Sequence, residues 1–114
     1  MNEYMLIFRH QDGMKVASAE QLEGWMKQTR EWIERVSKLN KFVGGNGLLF
    51  DDAKVVWHNG IVTDGPFGEI KETLGGYVIV KADSSAEAAD LAKDFPVLQG
   101  EGNSIEVRQI ASRH

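Results

Sequence analysis

Two rhythms of apolar and polar positions alternate along this chain. Tyr4 to Phe8 is a short continuous apolar run. That is the pattern of a central strand buried on both faces, and Gln11-Asp12-Gly13 ends it. Ser18 with Gln21 three residues later has the spacing of a capping box. Beyond it, Leu22, Trp25, Met26, Thr29, Trp32, Ile33 and Val36 recur at helical spacing, with Glu23, Lys27, Arg30, Glu31, Glu34 and Arg35 between them. This predicts an amphipathic helix of about five turns from Ser18 to Leu39. Its two tryptophans, Trp25 and Trp32, are expected in the core.

The pattern then shortens. After the glycines at 44, 45 and 47, Leu48 to Phe50 and Lys54 to His58 read as strands around an Asp51-Asp52 turn. Asn59-Gly60 lies between Val55-Val56-Trp57 and Ile61-Val62. Asn-Gly between such runs predicts a hairpin with a type I′ turn, whose central residues both need positive φ. Asp64-Gly65-Pro66 predicts a second turn. Leu74 to Ala82 is a long apolar strand, and Ser84 with Glu87 is a second capping box. Ala88, Leu91, Ala92 and Phe95 form a short helical stripe that Pro96 stops. Ser104 to Ile110 alternates, with Ile105 and Val107 on one face and Glu106 and Arg108 on the other.

The order is β, α, β-hairpin, β, α, β. It predicts an α+β, ferredoxin-like βαββαβ fold with an elaborated middle β-hairpin. Both helices should cover one sheet face. The other face then has no cover within the chain, and its apolar residues call for a homodimer packed sheet to sheet.

Composition narrows the classes. The 114 residues, 42% hydrophobic and 26% charged, suit a single folded domain over 1–114. The net charge of −4 and the scattered basic residues speak against nucleic acid as a partner. With no cysteine there is no thiol nucleophile, disulfide framework or cysteine zinc site. The acidic start, the short first apolar run and the lack of a run of about 20 apolar residues predict neither a signal peptide nor a membrane span. A cytoplasmic location is expected.

Candidate chemistry clusters in three places. Asp64 is a possible general base, or the acceptor of an Asx turn before Gly65-Pro66. Glu69 and Lys71 alternate and would share one face of an extended segment, with Glu72 opposite. They could bind a polar ligand or tune a proton transfer, or form a solvated ion pair. Glu106 and Arg108 point toward the uncovered sheet face, where charges are costly unless paired or wet. There Arg108 could grip a carboxylate or phenolate oxygen, or pair across an interface with Glu106, Glu69 or Glu72. Among the histidines, His10 and His58 close strands and could act as an acid or base, or be plain surface residues, whereas His114 is terminal. Trp57, on the hairpin, suits a dimer contact or a pocket wall. No spacing fits a metal, and Gly44-Gly45-Asn46-Gly47 lacks the pattern of a phosphate loop. No metal or cofactor is expected.

The stretch Asp64-Gly65-Pro66-Phe67, DGPF, continued as GEIKETLGGY through Tyr77, resembles the signature of YCII-related proteins of the DGPF subgroup. EYMLIF, GGNGLLFDDAKVVWHNGIVT and SIEVRQI extend the resemblance over nearly the whole chain. It implies a ferredoxin-like fold that dimerises as an α/β barrel, with a cleft between the sheet face and nearby loops. Some DGPF proteins look associated with extracytoplasmic-function sigma factors. Better-understood relatives resemble small isomerases or dehydrochlorinases that use a His-Asp pair. Here the helix from Ser18 to Leu39 has no histidine, Phe95-Pro96-Val97-Leu98 has none, and Gln109 stands where the family usually has proline.

Two functions are therefore expected. One is a small cofactor-independent enzyme, isomerase- or lyase-like, acting by proton transfer on a small aromatic or lactone-like molecule. Asp64, His58 or Glu69 would move the proton, and Lys71, Glu72, Glu106 and Arg108 would hold the ligand. The alternative is a non-catalytic dimeric ligand-binding or regulatory module linked to an extracytoplasmic-function sigma factor.

Overall fold

A computed structural model describes residues 1–11, 19–49, 52–65 and 72–111. The elements run β1 (Asn2–Gln11), α1 (Ala19–Lys38), β2 (Phe42–Gly47), β3 (Ala53–Val56), β4 (Val62–Gly65), β5 (Glu72–Ala82), α2 (Ser85–Ala92), a 3-10 turn (Pro96–Gln99) and β6 (Ser104–Gln109). Four strands form one antiparallel sheet in the order β2-β5-β1-β6. Each helix joins two parallel strands with an antiparallel strand between them, the split βαβ arrangement of the ferredoxin-like fold. Strands β3 and β4 form a separate two-stranded sheet inserted between β2 and β5.

One face of the main sheet makes the core. Tyr4, Leu6 and Phe8 of β1 and Val78, Val80 and Ala82 of β5 are buried with Trp32 and Val36 of α1 and Ala88 and Ala92 of α2. Phe95 closes this layer, stacked on Phe8 at 4.4 Å and edge-on to Trp32 at 4.9 Å. The buried Trp32 indole must satisfy its N–H, and it donates to the Leu91 carbonyl at 2.8 Å, tying α1 to the end of α2. The smallest extent of the molecule is 20 Å, about one helix layer on one sheet.

Local signals account for several boundaries. Asn40, at φ 58, ends α1 in a left-handed cap, with Lys41 N–H donating to Val36 O and Asn40 N–H to Ser37 O. Ser84 caps α2 by accepting from Glu87 N–H at 3.1 Å. The Glu87 carboxylate also pairs with Lys41 at 2.5 Å.

The structure corrects several expectations. The strand leading toward the hairpin is Phe42–Gly47, within the glycine-rich stretch, and Leu48 and Leu49 lie outside it. Gly45 is required there. A Cβ at this position would run into the backbone of Tyr77 and Val78 on β5, so a small residue lets β2 pair closely. The Asn59-Gly60 hairpin forms, but only Gly60 has positive φ. Trp57 N–H donates to Ile61 O and Gly60 N–H to Trp57 O, which describes a type I turn closed by a glycine bulge rather than type I′. Pro96 does not stop α2, which ends at Ala92; it opens the 3-10 turn instead. Among the described side chains of the α1 stripe, the buried ones lie in the C-terminal half. Trp25 is half-buried and Met26 is 60% exposed, because the sheet lies beneath Trp32 and Val36. Ser18 of the first capping box and Asp51 fall outside the described residues, while Asp52 has left-handed backbone at φ 55.

Candidate functional site

Alternation along each strand decides what the second sheet face carries. With Tyr4, Leu6 and Phe8 turned to the helices, Met5, Ile7 and Arg9 turn away. Residues directly opposite in an antiparallel pair share a face. The register sets Ile7 between Tyr77 on β5 and Glu106 on β6, and Met5 between Ile79 and Arg108. Met5, Ile7, Tyr77 and Ile79 are each half-buried, and among the described elements no layer covers them. The result is an apolar floor, bordered by charge along the edge strand β6.

That charge is organised around one carboxylate. Arg9 donates from Nε and Nη2 to Oε1 of Glu106, at 3.3 and 3.1 Å. Arg108 donates from Nη1 to Oε2 at 3.0 Å. Both oxygens of Glu106 are thus held by guanidinium groups. The hydrogen bond from Arg108, and then that from Arg9, keep the Glu106 carboxyl below the ordinary carboxylate range. Glu106 therefore stays ionised at neutral pH and suits charge placement rather than proton donation. Two positive groups share one negative group, which leaves the cluster with net charge +1. The side chain of Arg9 is 31% exposed and that of Arg108 is 70% exposed. Arg9 is the inner, better-held member.

Arg9 is not among the candidates the sequence singles out, although it lies within the first strand that His10 closes. The signal was parity: two more residues of alternation place Arg9 on the face of Ile7. That it meets Glu106, 97 positions away, is a matter of register.

The other candidates lie elsewhere. Asp64 is inside β4, opposite Lys54 of β3, and its Oδ1 accepts from the Lys54 ammonium; the turn that would follow it lies outside the described residues. This carboxylate is 85% exposed. His58 is exposed within the hairpin turn. Glu69 and Lys71 lie outside the described residues, as do Pro66 and Phe67, and Glu72 is described only through its backbone, opposite Gln11. The structure thus brings Glu106 and Arg108 together and places Asp64 and His58 on the separate hairpin.

His10 follows Arg9 and lies opposite Thr73, beside the irregularity between Phe8 and Arg9. Its imidazole lies against Gly75, where any Cβ would collide with the ring. Burial holds its pKa below the usual histidine value. Trp57 is 49% exposed and its indole N–H donates to Thr63 Oγ1 at 2.9 Å, across the hairpin. Val56, Ile61 and Val62 near it are also exposed. Among the described residues, no group of three acidic or histidine side chains is placed to hold a metal, and no helix is long and apolar enough to cross a membrane.

Comparison with known proteins adds two findings. An uncharacterized protein of Rhizobium meliloti (strain 1021) is 43% identical over 51 residues, which is 45% of this chain. The matched stretch spans 41% of that relative's length, well short of the whole protein. The YCII-related domain is matched over residues 3–112, nearly the full chain, and the chain belongs to that family.

Proposed function

We propose that this chain is a YCII-related protein of the DGPF subgroup, a single domain that works as a homodimer and binds a small molecule over its open sheet face. A second copy turned face to face would enclose the floor of Met5, Ile7, Tyr77 and Ile79 as a dimeric α/β barrel. The observation that carries this reading is the Arg9–Glu106–Arg108 cluster beside that floor. Ordered charge next to half-buried apolar side chains is what a polar-headed, apolar-bodied ligand needs.

Within that chamber, cofactor-independent proton transfer on an aromatic or lactone-like molecule is the enzymatic reading. Arg108 and Lys71 would offset a developing oxyanion, with Glu72 and Glu106 shaping the polar wall. Glu69, Asp64 and His58 are the acid–base candidates. The exposure of Asp64 and its partner Lys54 favour a second reading, a non-catalytic binding module of the cytoplasm, acting in regulation with an extracytoplasmic-function sigma factor.

Light scattering at micromolar concentration tests the assembly. A particle of about twice the 12.7 kDa chain is expected, and a monomer overturns the enclosed chamber. Screening small lactones and aromatic enols for solvent deuterium incorporation separates the two readings. Turnover lost in Glu69→Gln, Asp64→Asn or His58→Ala supports the enzyme. Binding without turnover in the parent protein supports the module.

A further inference from the structure

We infer that Arg9 and Arg108 together form an anion subsite, and that the ligand of the open face is a small aromatic carboxylate whose ring lies on Ile7 and Tyr77. This rests on the open face being the ligand site. Three features of the geometry lead to it.

The first is stoichiometry. Two guanidinium groups converge on the single carboxylate of Glu106. Among the described residues, every hydrogen bond from either arginine side chain goes to that group, and three N–H···O bonds use only part of the two five-donor forks.

The second is placement. Tyr77, Ile7 and Glu106 form one cross-strand row over β5, β1 and β6. Arg9 and Arg108 flank that row, because Arg9 pairs with Ser104 and Arg108 with Met5. A ring on Ile7 and Tyr77 therefore has guanidinium groups to either side of its far edge. Planar forks match a carboxylate better than a point-charged ammonium does.

The third is the difference in exposure. Arg9 is half-enclosed, and Glu106 clamps it through two donors. Arg108 is more open and held by one. Arg9 is thus the preset half of the subsite, and Arg108 is free to swing onto an incoming oxygen. Glu106 is a positioning residue. It orients both forks and, as an anion, competes with the ligand for them.

The test is a titration of the intact protein, in its native oligomeric state, with sodium benzoate and with neutral benzamide, followed by backbone amide NMR shifts. Benzoate is expected to bind about tenfold or more tightly than benzamide, with shifts centred on Ile7, Tyr77 and Glu106. Arg9→Gln should weaken benzoate about tenfold and leave benzamide unchanged. Arg9→Lys, which keeps the charge but not the fork, should restore only part of the loss. Glu106→Gln should tighten benzoate severalfold, the opposite of what a merely structural carboxylate would do. Arg9→Gln leaves the Glu106–Arg108 pair intact, and its amide spectrum reports whether the fold is kept. If both probes shift the open face equally, or Arg9→Gln changes neither, the anion subsite is overturned while the open-face site stands. If neither probe shifts the open face, both fall.

Discussion

The two faces of the main sheet are built from alternate residues of the same strands, yet they are different materials. On β1, Leu6 is fully buried beneath the helices, while its neighbour Ile7 is half-buried with no helix above it. The helix-side face carries aromatic stacking, buried aliphatic side chains and one satisfied indole. The open face carries apolar side chains mixed with an arginine–glutamate–arginine cluster. The first face stabilises the fold by removing apolar surface from water. The second leaves that potential unused within one chain and spends polar order instead. The buried core and the open face are thereby separated by one residue of parity.

Mutations can break or sharpen that contrast. The largest effect is expected from Leu6→Ala, which leaves a cavity in the packed layer and should lower unfolding free energy by about 2–5 kcal/mol. Chemical denaturation measures it. A loss under about 1 kcal/mol would mean that the helix-side layer is not the main source of stability.

Next is Gly45→Ala. The added Cβ meets the β5 backbone, not a movable side-chain tip. A loss of about 1–3 kcal/mol is expected, with faster amide exchange along β2 than along β1. An unchanged exchange pattern would show that β2 does not depend on this close approach.

Ile7→Ala is the matched partner of Leu6→Ala on the other face. Loss of a half-buried side chain should cost about 1 kcal/mol in an isolated chain. In a face-to-face dimer the parent melting temperature rises with protein concentration, and Ile7→Ala should weaken that dependence. A concentration-independent melt in both proteins would leave the open face bare.

The smallest effect concerns pH. Glu106 has a folded pKa below its ordinary value of 4.5, owing to Arg108 and Arg9. Its contribution is therefore present above about 4.5 and is lost as pH falls through the lowered folded value. Glu106→Gln should flatten the decline of melting temperature below that pH. Glu87, lowered by Lys41, should keep a residual slope in the variant. His10 acts in a higher window: burial lowers it from 6.5, so charging it opposes folding as pH drops below that value. An identical acid limb in parent and variant would show that the cluster is solvated and uncoupled from folding.

Much of the fold was legible in local patterns. The stripe through Trp32 and Val36, the Ser84 cap, the Asn59-Gly60 turn and the alternation of Ile105 to Arg108 each depend on neighbours a few residues away. Those interactions are set by backbone geometry. The misreadings share a cause. Phe42–Gly47 is a strand despite its glycines because β5 supplies hydrogen bonds and close approach that no local propensity encodes. Trp25 and Met26 fit the helical stripe but extend beyond the sheet that would bury them. Nor does the sequence reveal that Lys54 lies opposite Asp64, which the register of β3 and β4 decides.

The sequence alone determined element order, the helix-side core and the direction of Glu106 and Arg108, since period and parity are local properties. The tertiary structure decided the strand order β2-β5-β1-β6, the register that sets Ile7 between Tyr77 and Glu106, and the meeting of Arg9 with Glu106. Those depend on pairing between distant segments, which only the buried layer and the close backbone contacts select.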